Sequence, residues 1–138
     1  MVWRYGASVP PIFSGAVVGG SVFVLFVDGD AAFADAAARS FESVGMRTVV
    51  ALGSMPALDV FDNHDIDVVV TDVKLPAGEH QGSALARMIR NRRPKVPIIL
   101  MSAHPEVLEK DTASPNAALC KPLEIAELCR AIRVRQAQ

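Results

Sequence analysis

At 138 residues, with 51% hydrophobic and 21% charged side chains, the chain is sized for one globular domain whose core needs no disulfide or metal staple. A formal net charge of -1 gives no cationic surplus for nucleic acid or an acidic substrate. Cys120 and Cys129 match neither a CxxC pair nor a zinc cluster, and in apolar surroundings they read as reduced core thiols of a cytoplasmic protein.

No charge occurs from Tyr5 to Val27, so hydropathy alone would suggest a signal peptide or membrane anchor. Pro10, Pro11, Gly15, Gly19 and Gly20 break a spanning helix there, and the alternating pattern downstream needs residues 22–27 as a strand. Residues 1–20 are therefore expected as a flexible extension, and 21–138 as the domain.

Residues 22–27 form an apolar run of strand length that ends in Asp28-Gly29-Asp30. An Ala-rich helix comes next, with Phe33, Ala37, Phe41 and Val44 on one face and Gly45 as its stop. Residues 48–52 make the second strand, and Ser54 is expected to cap a short helix through Leu58 and Phe61. Val68, Val69 and Val70 form a third strand that ends at Thr71-Asp72. Leu85, Met88 and Ile89 mark the third helix, which stops before Pro94.

A fourth strand over 96–101 runs into Ser102. Residues 105–116 are weakly patterned, with only Val107 and Leu108 as an apolar face. A short fifth strand over 117–120 precedes a helix striped by Ile125, Leu128, Cys129 and Ile132. Arg87, Arg90, Arg92, Arg93 and Lys95 read as a solvated helix face, and His64 and His104 as surface residues. Five β-α units without a hairpin signal predict an α/β fold with a doubly wound parallel sheet.

In such a sheet, ligands bind outside the carboxyl ends of the strands, near the point where strand order reverses. Asp28 and Asp30 come after the first strand, Asp72 after the third, Ser102 after the fourth and Lys121 after the fifth. Gathered carboxylates repel and call for a cation, and hard oxygen donors suit Mg²⁺. A hydroxyl and an ammonium opposite them suit a phosphoryl group. That inventory serves phosphoryl transfer to a carboxylate.

Four motifs stand in order: Val27-Asp28-Gly29-Asp30, Thr71-Asp72-Val73-Lys74-Leu75-Pro76, Ser102-Ala103 and Lys121-Pro122. Together, over residues 22–134, they resemble the CheY-like receiver domain of response regulators, a flavodoxin-like five-stranded sheet of order 2-1-3-4-5. The resemblance implies Asp72 as phosphoacceptor, Lys121 as its ion-pair partner and Ser102 as the hydroxyl that follows the phosphoryl group. It implies Mg²⁺ held by Asp28, Asp30, Asp72 and the Lys74 carbonyl, and a cis peptide before Pro122. It also implies a signalling module rather than an enzyme. The expected donor is a histidine kinase or phosphotransfer protein. A downstream protein would be the listener, without direct contact to nucleic acid or membrane, and self-association into a homodimer is left open. No output domain is recognisable after Ile132.

Departures from the pattern are as informative. The family places two adjacent acids after the first strand, and here Gly29 takes the second place, which weakens the expected metal site unless Asp30 turns inward. Asp30 reads slightly better as the N-cap of the first helix. The loop over 76–82 is about two residues longer than usual, so that Glu79 or His80 could lean over the site, and Ala118 replaces a common switching aromatic. Two alternatives remain: a pseudo-receiver that binds protein without phosphorylation, and a small haloacid-dehalogenase-like phosphatase with Asp28 as nucleophile and Asp30 as acid/base.

Overall fold

The computed structural model describes residues 2–4, 21–76, 78, 81–109 and 115–136. Six parallel strands form one sheet: β1 (Val2–Arg4), β2 (Phe23–Val27), β3 (Arg47–Ala51), β4 (Val68–Asp72), β5 (Ile98–Ser102) and β6 (Ala117–Cys120). Their spatial order is β1-β3-β2-β4-β5-β6. The helices are α1 (Ala31–Ser43), α2 (Ser54–Asn63), α3 (Gln81–Arg92), α4 (Pro105–Glu109) and α5 (Ile125–Gln136).

The five expected strands keep the order 2-1-3-4-5, and β1 is added outside β3, with Trp3 opposite Val49. The expectation of an extension without structure is thus corrected at residues 2–4; residues 5–20 lie outside the described ones. Backbone pairing at an open sheet edge explains the gain, since β3 otherwise presents unpaired amide and carbonyl groups.

The strands are apolar throughout because both faces are covered. Leu25, Val49, Ile98 and Leu100 pack beneath α2 and α3 with Phe61, Leu85 and Ile89. Val24, Phe26, Val50 and Val70 pack on the other face beneath α1 and α5 with Phe41, Leu128 and Ile132. These large side chains are almost completely buried, and each contributes roughly 1.5–3 kcal/mol over its exposed state.

Helix boundaries largely match the sequence signals. Gly45 adopts φ 89° just beyond α1, where a side chain would be strained. Ser54 does not cap α2: the N-cap is Gly53, and the Ser54 hydroxyl instead donates to Gln81 Oε1 at 3.2 Å, which joins the starts of α2 and α3. The basic cluster is more than a solvated face. Arg93 stacks over Phe61 at 3.8 Å and donates to the carbonyls of Phe61, His64 and Ile66, so it satisfies groups at the end of α2. Arg90 likewise donates to the carbonyls of Pro94 and Val96 and to Asn116 Oδ1. Cys120 is exposed, against the expectation of a core thiol, because alternate β6 residues face outward beside the short α4. Among the described residues no helix is long and apolar enough to cross a membrane.

Candidate functional site

The sheet reverses its winding between β2 and β4, and these two strands lie side by side with Val27 opposite Thr71. Asp28 and Asp72 continue that pair at the carboxyl ends. On the next strand Met101 stands opposite Asp72, which puts Ser102 just beyond it. The Lys121 N–H donates to the Ser102 carbonyl at 2.7 Å and ties the end of β6 to the same rim.

From there the Lys121 side chain spans back across β5. Its Nζ donates to Asp28 Oδ2 at 2.8 Å and to Asp72 Oδ2 at 3.0 Å. It also lies 4.9 Å from the Phe33 ring centroid, close enough for a cation–π contribution. The Lys121-Pro122 peptide is cis.

The two carboxylates differ in access. The Asp28 side chain is 2% exposed, and its Oδ1 accepts the Asp30 N–H at 2.9 Å. The Asp72 side chain is 15% exposed and is the one that an incoming group can reach. Burial pushes the Asp72 carboxyl above its ordinary pKa; hydrogen bonding and charge from Lys121 pull it back, the Asp28 charge raises it again, and a Lys74 backbone hydrogen bond lowers it. For Lys121, burial would lower the pKa, but hydrogen bonds and charge from Asp28 and Asp72 more than offset it, so the ammonium is held more firmly than usual.

Ser102 is 4% exposed. Its Oγ accepts the His104 N–H at 3.0 Å, which leaves its own proton available for donation. Two backbone features brace Asp72. Thr71 Oγ1 donates to the Asp72 carbonyl at 3.0 Å. Gly82 lets α3 approach so closely that a Cβ there would collide with that same carbonyl.

A family model described as the response regulator receiver domain matches residues 24–133. The chain belongs to the receiver domain family. It is similar in sequence to an NtrX-like response regulator of Rickettsia conorii, 30% identical over 81 residues, which cover 59% of this chain and 17% of that protein. It also resembles the DNA-binding transcriptional regulator NtrC of Escherichia coli K12, 27% identical over 107 residues, 75% of this chain and 22% of that one. The receiver thus spans about a fifth of the length of these curated relatives.

In structure the receiver is similar to a Francisella response regulator receiver domain, with a TM-score of 0.76 and 27% identity, covering 85% of this chain and 98% of that one. A CheY-like receiver of Methanospirillum hungatei JF-1 gives a TM-score of 0.77 at 22% identity, covering 85% and 94%. TrrA of Thermotoga maritima in complex with Mg²⁺ and BeF gives 0.75 at 22%, covering 83% and 98%.

Receiver domains generally bind Mg²⁺ at the phosphorylated carboxylate and act as signalling modules, so this chain's donor set is the relevant test. Asp28, Asp72 and Lys121 are brought together as expected from the sequence, with Ser102 on the same rim. Asp30 is not brought in: its Oδ1 accepts the Phe33 N–H at 3.1 Å as the N-cap of α1. Among the described residues no three Asp, Glu, His or Cys side chains form a group that could hold a metal. Both remaining carboxylates already share one ammonium. This donor set does not fit a tightly held divalent cation. Glu79 and His80 lie outside the described residues, and His104 is turned to Glu106 at the surface, 3.6 Å away.

Sequence reasoning missed the roles of Phe33, Gly82 and Pro76. Phe33 reads as a plain core position, and nothing local distinguishes it. Gly82, just inside the start of a helix, is a faint signal of close backbone approach. At Gly29 the φ lies outside the left-handed region, so backbone freedom is not the reason for glycine; what matters is space, since a Cβ there would stand 3.1 Å from Pro76 Cδ.

Proposed function

We propose that this receiver accepts a phosphoryl group on Asp72 from a phosphohistidine of a kinase or phosphotransfer protein and signals through protein contacts, with residues 21–138 as the working unit in the cytoplasm. The observation that carries this reading is the Lys121 ammonium held against the more accessible of two carboxylates at the winding reversal.

In the reaction an Asp72 oxygen attacks phosphorus. A P–O bond forms, the N–P bond breaks, and its electron pair returns to the imidazole nitrogen, which takes up a proton. The Lys121 ammonium, already on Asp72, offsets the charge that collects on the transferred oxygens. The Ser102 hydroxyl supplies a hydrogen bond to one of them. Drawing Ser102 inward competes with its bond to the His104 N–H, so the segment after β5 shifts and the β5–β6–α5 surface changes its populations. Asp28, almost fully buried and bonded on both oxygens, is poorly placed as the nucleophile of a phosphatase.

Incubation with a phosphodonor such as acetyl phosphate tests this by intact mass. The wild type is expected to gain one phosphoryl group, and Asp72→Asn none. An equal gain by both proteins overturns the assignment. Gly29 favours a second reading, a pseudo-receiver that binds its partner without phosphorylation; the absence of any adduct on the folded wild type would favour it over the first.

A further inference from the structure

We propose that Phe33 is a positioning residue for the Lys121 ammonium: its ring face holds the charge beside the Asp72 carboxylate without occupying an oxygen that the phosphoryl group needs. The inference deepens the reading of Asp72 as phosphoacceptor and rests on it for the reaction.

An ammonium carries three N–H donors and no acceptor. At Lys121 Nζ two partners are carboxylate oxygens, Asp28 Oδ2 at 2.8 Å and Asp72 Oδ2 at 3.0 Å. Among the described residues the only other partner of this ammonium is the Phe33 ring, whose centroid lies 4.9 Å away. That separation is within reach of a cation–π attraction, which strengthens as water is kept off the charge. The Lys121 side chain is 22% exposed, so most of it is already shielded.

The ring has little freedom to leave. Phe33 lies in the first turn of α1, where its N–H is tied to Asp30 Oδ1 at 3.1 Å. Its ring packs against Phe26 at a centroid distance of 6.0 Å, and Phe26 meets Phe41 at 5.8 Å; both of these are fully buried. An aromatic row thus leads from the core beneath α1 to the ammonium, and the N-cap fixes the residue at its end. The lysine arrives from the far side of β5 on a flexible four-carbon stem. A rigid contact on α1 narrows the arrangements of that stem and reduces the freedom still to be lost when phosphoryl oxygens bind.

A ring face suits this task for a chemical reason. A third carboxylate would hold the ammonium more tightly but would repel the phosphoryl group. The negative face of the ring attracts the cation with no formal charge, so it yields to an anionic oxygen when one arrives.

The test compares Phe33→Leu, which keeps an apolar side chain, with Phe33→Tyr, which keeps the aromatic face. In carbon–proton NMR of the unphosphorylated protein, the ring current should displace the Lys121 Cε hydrogens upfield of those of the other lysines; Lys121→Gln identifies the signal by its loss. The displacement is expected to persist in Phe33→Tyr and to vanish in Phe33→Leu. With acetyl phosphate at limiting concentration, Phe33→Leu is expected to gain the phosphoryl group about threefold more slowly than wild type, and Phe33→Tyr at the wild-type rate. An undisplaced Lys121 signal in wild type overturns the proposal without any variant. So does Phe33→Leu phosphorylated as fast as wild type, or Phe33→Tyr as slow as Phe33→Leu, which would leave packing as the whole role of the ring. Failure of Asp72 to accept phosphate shows separately in the mass measurement, and the NMR signal still decides whether Phe33 holds the ammonium.

Discussion

Asp72 holds its proton more readily in the folded protein than in the unfolded chain, chiefly because burial disfavours the charge. Folding therefore takes up a proton there, and stability falls as pH rises from the ordinary carboxylate range through the raised folded value. Asp72→Asn removes that loss. Relative to wild type the variant should gain stability across this acid window and keep a constant difference above it, as measured by denaturant midpoints from acid to neutral pH. A difference of the opposite slope would show that the carboxyl is not raised. Lys121 follows the same sign in a higher window: with its pKa held up, its contribution is complete at neutral pH and is lost only as alkaline pH rises through the folded value. The placement of Asp72 and Lys121 at one rim of the sheet is legible in sequence because each follows an apolar strand in a recognisable motif. The contact between Gly29 and Pro76 is not, since it joins two loops that only the fold brings together.

Elements explain which polar residues are structural. Asp30 can be read in sequence as a metal ligand or, slightly better, as a helix cap; the start of α1 has backbone amides that need an acceptor, and Asp30 is the residue that supplies one. Asp30→Ala should cost about 1 kcal/mol in urea unfolding and leave Asp72 phosphorylation unchanged. Loss of phosphorylation in that folded variant would put Asp30 back among the site residues. Helix starts and stops with a backbone reason, such as Gly45, are legible. The Ser54 hydroxyl misleads because a cap and a tertiary partner look alike locally: its acceptor, Gln81, lies on another helix. The basic residues at the end of α3 look solvated in sequence for the same reason, since the carbonyls bound by Arg93 belong to α2 and the loop after it.

At the scale of the molecule, the five-stranded order is consistent with the spacing of apolar runs, each too short for a helix and none joined by a hairpin turn. What composition could not reveal is the sixth strand. Residues 2–4 carry no strand pattern of their own beyond three positions, and they become a strand only because β3 offers an unpaired edge. The family match begins at residue 24, so this strand lies outside the part of the chain that defines a receiver.

Trp3, the chain's one tryptophan, sits on that outermost strand. The protein thereby carries a natural fluorophore on the element with the shortest ladder, remote in sequence from the chemistry. Indole emission should report detachment of this edge at lower denaturant than the loss of far-ultraviolet dichroism from the helices. Coincident curves would instead show that three residues at the margin melt with the whole domain. Either way, the stability of this edge can be followed without a foreign label.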